Sequence, residues 1–401
     1  MEAVVIGASS ESLYAINCAK SLGFSVIAFD GNKNAPGLES ADMAFVVDIT
    51  KPDLVVDILK RYNPDIILPI PIGRYLTTIG YVNDYFNLPG VRYDSALKCT
   101  DKFIFHSLLN EKDLRPVDMI LLRANETSLP FKEIRGMLPV VVKPRFGSGS
   151  RGVKTFFEFD TFLNEFANYM PYEEDYCIES YVDGDEYGVD GIFDNGVFQL
   201  VLLRGKINTP LPYRECVGYY SLRQNSDNFV FYDSVSDLIQ NTGKILGFDN
   251  VIIHADIIKN SINNEPFLIE ISARPSGHNL HSYFTPLVTG VDMVTEFVKK
   301  AVPSLSMPYS FEANVKEDYM IRYFDFEDVL IKQVPNKDYV MEKYPIIDWN
   351  CHLESGMRLG KVTNGASIMS RGFYSICADS LNDLISITES VRKEFITERI
   401  L

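Results

Sequence analysis

HADIIKNSINNEPFLIEISARPSGH, residues 254–278, is the stretch on which the reading of this chain turns. Two runs rich in β-branched and apolar residues, VIIHADII and FLIEISA, flank the polar turn KNSINNEP, so the segment reads as an antiparallel hairpin. Side chains alternate along a strand, which puts His254 and Asp256 on one face of the first strand. The same rule puts Glu270, Ser272 and Arg274 on one face of the second. A turn about Asn263 then sets Asp256 opposite Glu270 and His254 opposite Ser272. Two carboxylates directly across a sheet repel, and the pair is tolerated mainly where a cation lies between them. Oxygen donors without a thiolate suit Mg2+ or Mn2+ rather than zinc. The alternative is a solvent-facing acidic hairpin.

Upstream, LPVVVKPRFGSGSRGVKTFF at 138–157 reads as strand, glycine-rich turn, strand. Gly147 to Thr155 misses the phosphate loop G-x-x-x-x-G-K-[ST] by one residue, because Val153 separates Gly152 from Lys154. A phosphate loop also leads into a helix, whereas β-type residues stand on both sides here. The segment therefore reads as a mobile, N–H-rich flap beside Lys143, able to fold over a triphosphate.

Residues 1–97 alternate short apolar runs (AVVIG, SVIAFD, AFVVD, DIILPI) with helical patterns, the signature of a parallel sheet with crossover helices. The turn Gly7-Ala8-Ser9-Ser10 and the strand-end Asp30 partly match a dinucleotide-binding motif, but its second and third glycines are missing. A scaffold domain holding no cofactor is the expectation. Later, a helix near Ser234 should stop at Gly247, and Ser380 with Asp383 should cap the last helix.

At 401 residues the chain exceeds one ordinary core, and two to four domains are expected. Acidic residues outnumber basic ones by 54 to 38, a net charge of −16 that repels nucleic-acid backbones and anionic membranes. Six cysteines (18, 99, 177, 216, 351 and 377) show no paired spacing and read as reduced thiols. Met1 passes straight into a strand, and no apolar run approaches the ~20 residues of a membrane span. A cytoplasmic protein is expected, with no nucleic-acid or membrane partner.

Lys102, the lysine of VVVKP, the glycine flap, CIESYVDGDEYGVDG at 177–191 and the D…E-x-S-x-R hairpin follow one another in order. This set, with about forty residues between the two lysines, resembles the ATP-grasp superfamily over roughly residues 1–300. The resemblance implies an α/β ATP-grasp architecture. Residues 1–97 would be a Rossmann-like pre-ATP-grasp domain. Residues 98–300 would be the ATP-grasp domain, with a mobile lid subdomain at about 115–182, and 301–401 a C-terminal α+β unit.

On this resemblance Lys102 and Lys143 contact the phosphates of ATP, and Gly147, Ser148, Gly149, Ser150 and Gly152 close over them. Glu179, Ser180, Tyr181 and Val182 form the hinge beside the adenine, largely through backbone groups, and Glu186 binds the ribose hydroxyls. Asp256, Glu270 and Ser272 hold the magnesium ions, and Arg274 steadies the transferring phosphoryl group. Many members carry glutamate at the position of Asp256 and asparagine at that of Ser272. His278 could orient a substrate carboxylate or accept the amine's proton, with His281 assigned a structural role, and Arg204, Lys206 and Arg214 are candidates for binding the carboxylate or phosphates.

The implied activity joins a small-molecule carboxylate to an amine through an acyl phosphate, and the amino-acid and dipeptide ligases are the most similar subfamily. The alternatives are a carboxylase or purine-pathway ligase, similar to carbamoyl phosphate synthetase or biotin carboxylase, and a non-catalytic nucleotide sensor. A homodimer is common among such enzymes.

Overall fold

A computed structural model of the chain describes residues 1–400 apart from 148, 150, 212, 213, 226, 227, 363 and 364. The expected flap residues Ser148 and Ser150 thus lie outside the described residues. Strands β1 (Glu2–Ile6), β2 (Ser25–Asp30), β3 (Met43–Val46) and β4 (Ile66–Ile67) form a sheet in the order β3-β2-β1-β4. All its pairings are parallel. β1, β2 and β4 are apolar without alternation because both faces are covered, and Val4, Val5 and Ile6 are wholly buried, while the edge strand β3 alternates and exposes Val46. Asp30 serves the backbone here: its carboxylate accepts the N–H of Ala8 and of Asn32, both at 2.7 Å, and fastens the first turn.

A second sheet carries the flap. Strands β5 (Met119–Leu122), β6 (Val140–Pro144), β7 (Lys154–Phe156) and β8 (Tyr176–Ser180) pair antiparallel in the order β5-β8-β6-β7. They enclose their own core around Ile134, Phe156, Phe162 and Ile178. The glycine-rich turn joins β6 to β7, as the strand-turn-strand reading requires, and Gly149 and Gly152 take φ of 66° and 74°.

The largest sheet starts with β9 (Gly184–Asp194), β10 (Val197–Asn208), β11 (Cys216–Ser221), β12 (Val251–Asn260) and β13 (Pro266–Ser272). After them come β14 (Asp318–Tyr323), β15 (Val329–Gln333), β16 (Ile346–Cys351), β17 (Arg358–Leu359), β18 (Gly372–Ala378) and β19 (Ile396–Arg399). Eight of these form one sheet, β13-β12-β9-β10-β11-β14-β18-β16, while β17-β15-β19 form a small separate one. The carboxy-terminal α+β segment extends the central sheet through the β11–β14 pairing and also encloses a core of its own around Met320, Phe324, Trp349 and Leu384.

The β12–β13 register is the one read from the sequence: Asp256 faces Glu270 and His254 faces Ser272. Helix Phe229–Leu246 packs beneath β10 and ends at Gly247, whose φ of 75° gives the left-handed stop. Helix Lys102–Asn110 begins at Asp101, whose carboxylate accepts the N–H groups of Phe103 and Ile104. That cap fixes where Lys102 leaves the helix. At the last helix, Ser380 accepts the N–H of Asp383 at 3.2 Å and donates to its carboxylate at 2.6 Å. Among the described residues no helix is long and apolar enough to cross a membrane.

Candidate active site

The lid sheet and the face of β12–β13 enclose a cleft. Lys143 enters it from β6, and its Nζ lies 2.5 Å from Glu179 Oε1 on β8. The other oxygen of Glu179 accepts from Arg115 Nη2 at 2.8 Å, and Arg115 Nε donates to the Leu268 carbonyl at 2.8 Å. All three side chains are buried. Burial alone would raise the Glu179 pKa; Lys143 first, then Arg115 and His106, outweigh it and hold the carboxyl well below its usual range. Glu179 was expected to act through its backbone, and its side chain proves to be the hub that seats Lys143. Lys102 Nζ donates to the Gly147 carbonyl at 2.9 Å, tying the flap to the helix start.

Val141, Ile258, Phe267 and Ile269 give the cleft an apolar wall, and Ser180, Tyr181 and Val182 line the edge where β8 ends. Glu186 lies on the same wall and is held by Arg214 Nε at 3.0 Å, while Arg214 also donates to the Tyr181 hydroxyl at 3.1 Å. Lys102, Lys143, the flap glycines 147 and 149, residues 179–182 and Glu186 thus come together as the sequence led one to expect.

Deeper in, Asp256 and Glu270 line both this cleft and a second cavity that opens behind it, so the carboxylate pair stands at the junction. Lys206 Nζ lies 2.6 Å from Asp256 Oδ2 and 4.0 Å from Glu186. Burial would raise Asp256, but Lys206, followed by His254, brings its carboxyl down to about 2. Asp256 Oδ1 is buried without a hydrogen-bond partner. A divalent cation fits this donor set: two opposed carboxylates, one with a buried oxygen that makes no hydrogen bond and lies 3.5 Å from His254 Nε2, and no thiolate. The described residues contain no cluster of three or more metal-binding acids, histidines or cysteines.

The second cavity is walled by Glu11, Glu215, Tyr219, His254, Arg274 and His278. Arg274 donates through Nη1 to the Pro275 carbonyl at 2.8 Å, and its buried Nε has no partner. Burial, with Arg274 behind it, pushes His278 down to about 4, so the ring is neutral at neutral pH. Its backbone N–H donates to Glu11 at 3.2 Å, and Tyr323 donates to its carbonyl at 2.5 Å.

Two expected site residues fall elsewhere. Arg204 is wholly buried against Asp190, with its Nη2 3.1 Å from His254 Nδ1, and it lines neither cavity. A Cβ on Gly188 would lie 2.8 Å from its guanidinium carbon, so the missing side chain on β9 makes its seat. It braces His254 and cannot reach a substrate. Ser272 also lines neither cavity, so the structure gives no third ligand beside Asp256 and Glu270. His281 is buried with Nδ1 2.5 Å from the Ser276 carbonyl, the structural role assigned to it.

Three residues at the site were not singled out: Arg115, Glu11 and Glu215. No local pattern marks Arg115 or Glu215. Glu11 follows the turn Gly7–Ser10, and the interest of that turn proves to be the acid it delivers to the second cavity.

Residues 137–282 match the family model of the ATP-grasp domain. The formate-dependent phosphoribosylglycinamide formyltransferase of Prochlorococcus marinus is 41% identical over 142 residues, 33% of this chain and 34% of that protein. A D-alanine–D-alanine ligase of Bacillus anthracis is 30% identical over 107 residues, 26% of this chain and 34% of that protein. The chain thus spans about a third of the length of the curated relatives it matches. Among solved structures, an L-amino acid ligase from Bacillus licheniformis superposes with a TM-score of 0.78 at 15% identity, covering 100% of this chain and 99% of that one. Phosphoribosylglycinamide synthetase from Anaerococcus prevotii gives 0.70 at 17% identity, covering 99% of both. The chain carries an ATP-grasp domain, and its fold from end to end is the α/β ATP-grasp architecture.

Proposed function

We propose that this chain is an ATP-dependent ligase that joins a small carboxylic acid, an amino acid or a similar molecule, to an amine, releasing ADP and phosphate. The observation that carries the reading is the position of Asp256 and Glu270. They stand where the nucleotide cleft meets a second, polar cavity, so a terminal phosphoryl group and a substrate carboxylate can meet beside them.

In this reading Lys102 and Lys143 bind the phosphates, residues 179–182 seat the adenine and Glu186 the ribose. Asp256 and Glu270 would hold magnesium, which neutralises the phosphate charge and polarises the transferred group. Arg274 offers a donor to the charge that develops on the phosphoryl oxygens or the substrate carboxylate. His278, neutral at working pH and on the wall of the second cavity, could orient the substrate carboxylate, while its lowered pKa makes it a weak acceptor for the amine's proton. The flap excludes water, which matters because an acyl phosphate hydrolyses readily. The unpaired cysteines support a reducing compartment and, with it, a cytoplasmic location.

A purine-pathway reaction, in which formate or another small acid is joined to the amine of a ribonucleotide, is favoured by one observation: the matched segment of the Prochlorococcus protein. Both readings are tested by phosphate release from MgATP with amino acids singly and in pairs, and with formate plus glycinamide ribonucleotide. Turnover with an amino-acid pair supports the first and turnover only with formate the second. Silence in every mixture would return the chain to a nucleotide-binding sensor.

A further inference from the structure

The second cavity contains a buried carboxylate that no described residue answers. Glu215 lies in the loop between β10 and β11 and is 4% exposed. Its backbone is held in place, since its N–H donates to Thr209 Oγ1 at 2.9 Å and its carbonyl accepts the Thr209 N–H at 2.8 Å. Its side chain lines the cavity, yet among the described residues its carboxylate has no hydrogen-bond or ion-pair partner. The neighbouring acids differ. Asp256 is held by Lys206 at 2.6 Å, Glu186 by Arg214 at 3.0 Å, and Glu11 accepts the His278 N–H at 3.2 Å. Glu270 lies opposite Asp256, at the site assigned above to the metal.

A carboxylate left with so little solvent contact and no partner costs free energy that a cationic ligand would recover. Burial alone raises the Glu215 pKa, to about 7, with no cation or donor opposing it. The cations on the same walls are directed elsewhere: Lys206 to Asp256, and Arg274 Nη1 to the Pro275 carbonyl. The Nε of Arg274 is still unpartnered, so, with Glu270 set aside for the metal, the described residues leave an Arg274 donor and the Glu215 carboxylate for a ligand. A free amino acid presents the complementary pair of charges.

We infer that Glu215 is the counter-charge for the ammonium group of an amino-acid substrate, the specificity residue of the second cavity. The inference rests on the ligase reading for its place in a reaction, but not for its test. The twenty standard amino acids and their N-acetyl forms are titrated by calorimetry into the full chain in the presence of Mg2+ and a non-hydrolysable ATP analogue. At least one free amino acid should bind, with its N-acetyl form weaker by roughly tenfold or more, as loss of a charge-assisted contact requires. Glu215→Gln should weaken the free amino acid to a similar degree and leave nucleotide affinity unchanged. Glu215→Asp, which keeps the charge, should fall between, and it decides the matter should the amide variant not fold. Equal binding of the N-acetyl form, unaltered affinity in Glu215→Gln, or no binding of any amino acid would overturn the assignment. A bound amino acid that depends on Glu215 but yields no ADP with any partner refutes the ligase reading and leaves Glu215 as the ammonium site.

Discussion

Replacing Glu179 by glutamine keeps its shape and removes the one negative charge shared by Lys143 and Arg115. Those contacts are 2.5 and 2.8 Å long, and the three side chains are 6% exposed or less. The substitution therefore strands two cations in a dry interior, and breaking a buried pair from one side typically costs about 3–5 kcal/mol. Lys143→Met does something milder. Glu179 keeps Arg115, and the buried ammonium whose solvation was lost is gone. Because Glu179 stays paired, Lys143→Met should cost less than the ~3–5 kcal/mol of a stranded buried charge. Guanidinium unfolding followed by far-UV circular dichroism should thus rank Glu179→Gln below Lys143→Met.

Acid sharpens the contrast. The Glu179 pKa is depressed in the folded chain, so its contribution is present above the ordinary carboxyl value of 4.5 and is lost as pH falls beneath it. The Glu179→Gln protein should lack that part of the acid-induced loss. Equal destabilisation by the two variants would refute the hub, and with it the idea that Glu179 seats Lys143. Nucleotide binding gives the complementary readout: Lys143→Met should weaken ATP by roughly ten- to a hundredfold, the value of a charge-assisted contact.

Three further outcomes are expected. Glu270→Gln should leave the circular dichroism spectrum unchanged and bring ADP formation below detection with excess Mg2+, and a near-wild-type rate would remove Glu270 from the metal site. The Glu215 pKa is raised in the folded chain from 4.5 to about 7, so the native state binds the extra proton and loses stability as pH rises across that window. Relative to wild type, Glu215→Gln should gain melting temperature between those two pH values and hold the gain above them, and parallel melting curves would contradict the burial of an unpartnered acid. Gly188→Ala sets a methyl against the Arg204 guanidinium and should cost about 1–3 kcal/mol, as overpacking of a core does. An unchanged unfolding midpoint would show that Arg204 can shift freely.

What could be read before folding was whatever depends on local period. The Asp256–Glu270 register follows from alternation on two strands and a short turn, and the strand-turn-strand flap from β-type residues on both sides of the glycines. The parallel amino-terminal sheet follows from its apolar runs. Charge was legible as charge but not as burial. Arg204 and Lys206 share a face of β10, yet Arg204 sinks into the space above Gly188 while Lys206 reaches Asp256 in the cleft. Arg115 and Glu11 reach the site from segments far apart in sequence, and only tertiary packing brings them there. The joining of β14, β18 and β16 to the central sheet was hidden for the same reason, since edge pairing across a hundred residues leaves no local trace.

The most direct test of the ligase chemistry is the identity of the spent nucleotide. Asp256 and Glu270 line the same cleft as the two lysines and the flap glycines, and on the ligase reading the terminal phosphoryl group of ATP would lie beside them. Transfer of that group to a carboxylate leaves ADP. Chromatography of the nucleotide pool, run with MgATP and each acid and amine pair that releases phosphate, should show ADP formed in a one-to-one ratio with the joined product. AMP and pyrophosphate as the stoichiometric products would contradict terminal phosphoryl transfer, even if every binding residue proved correct.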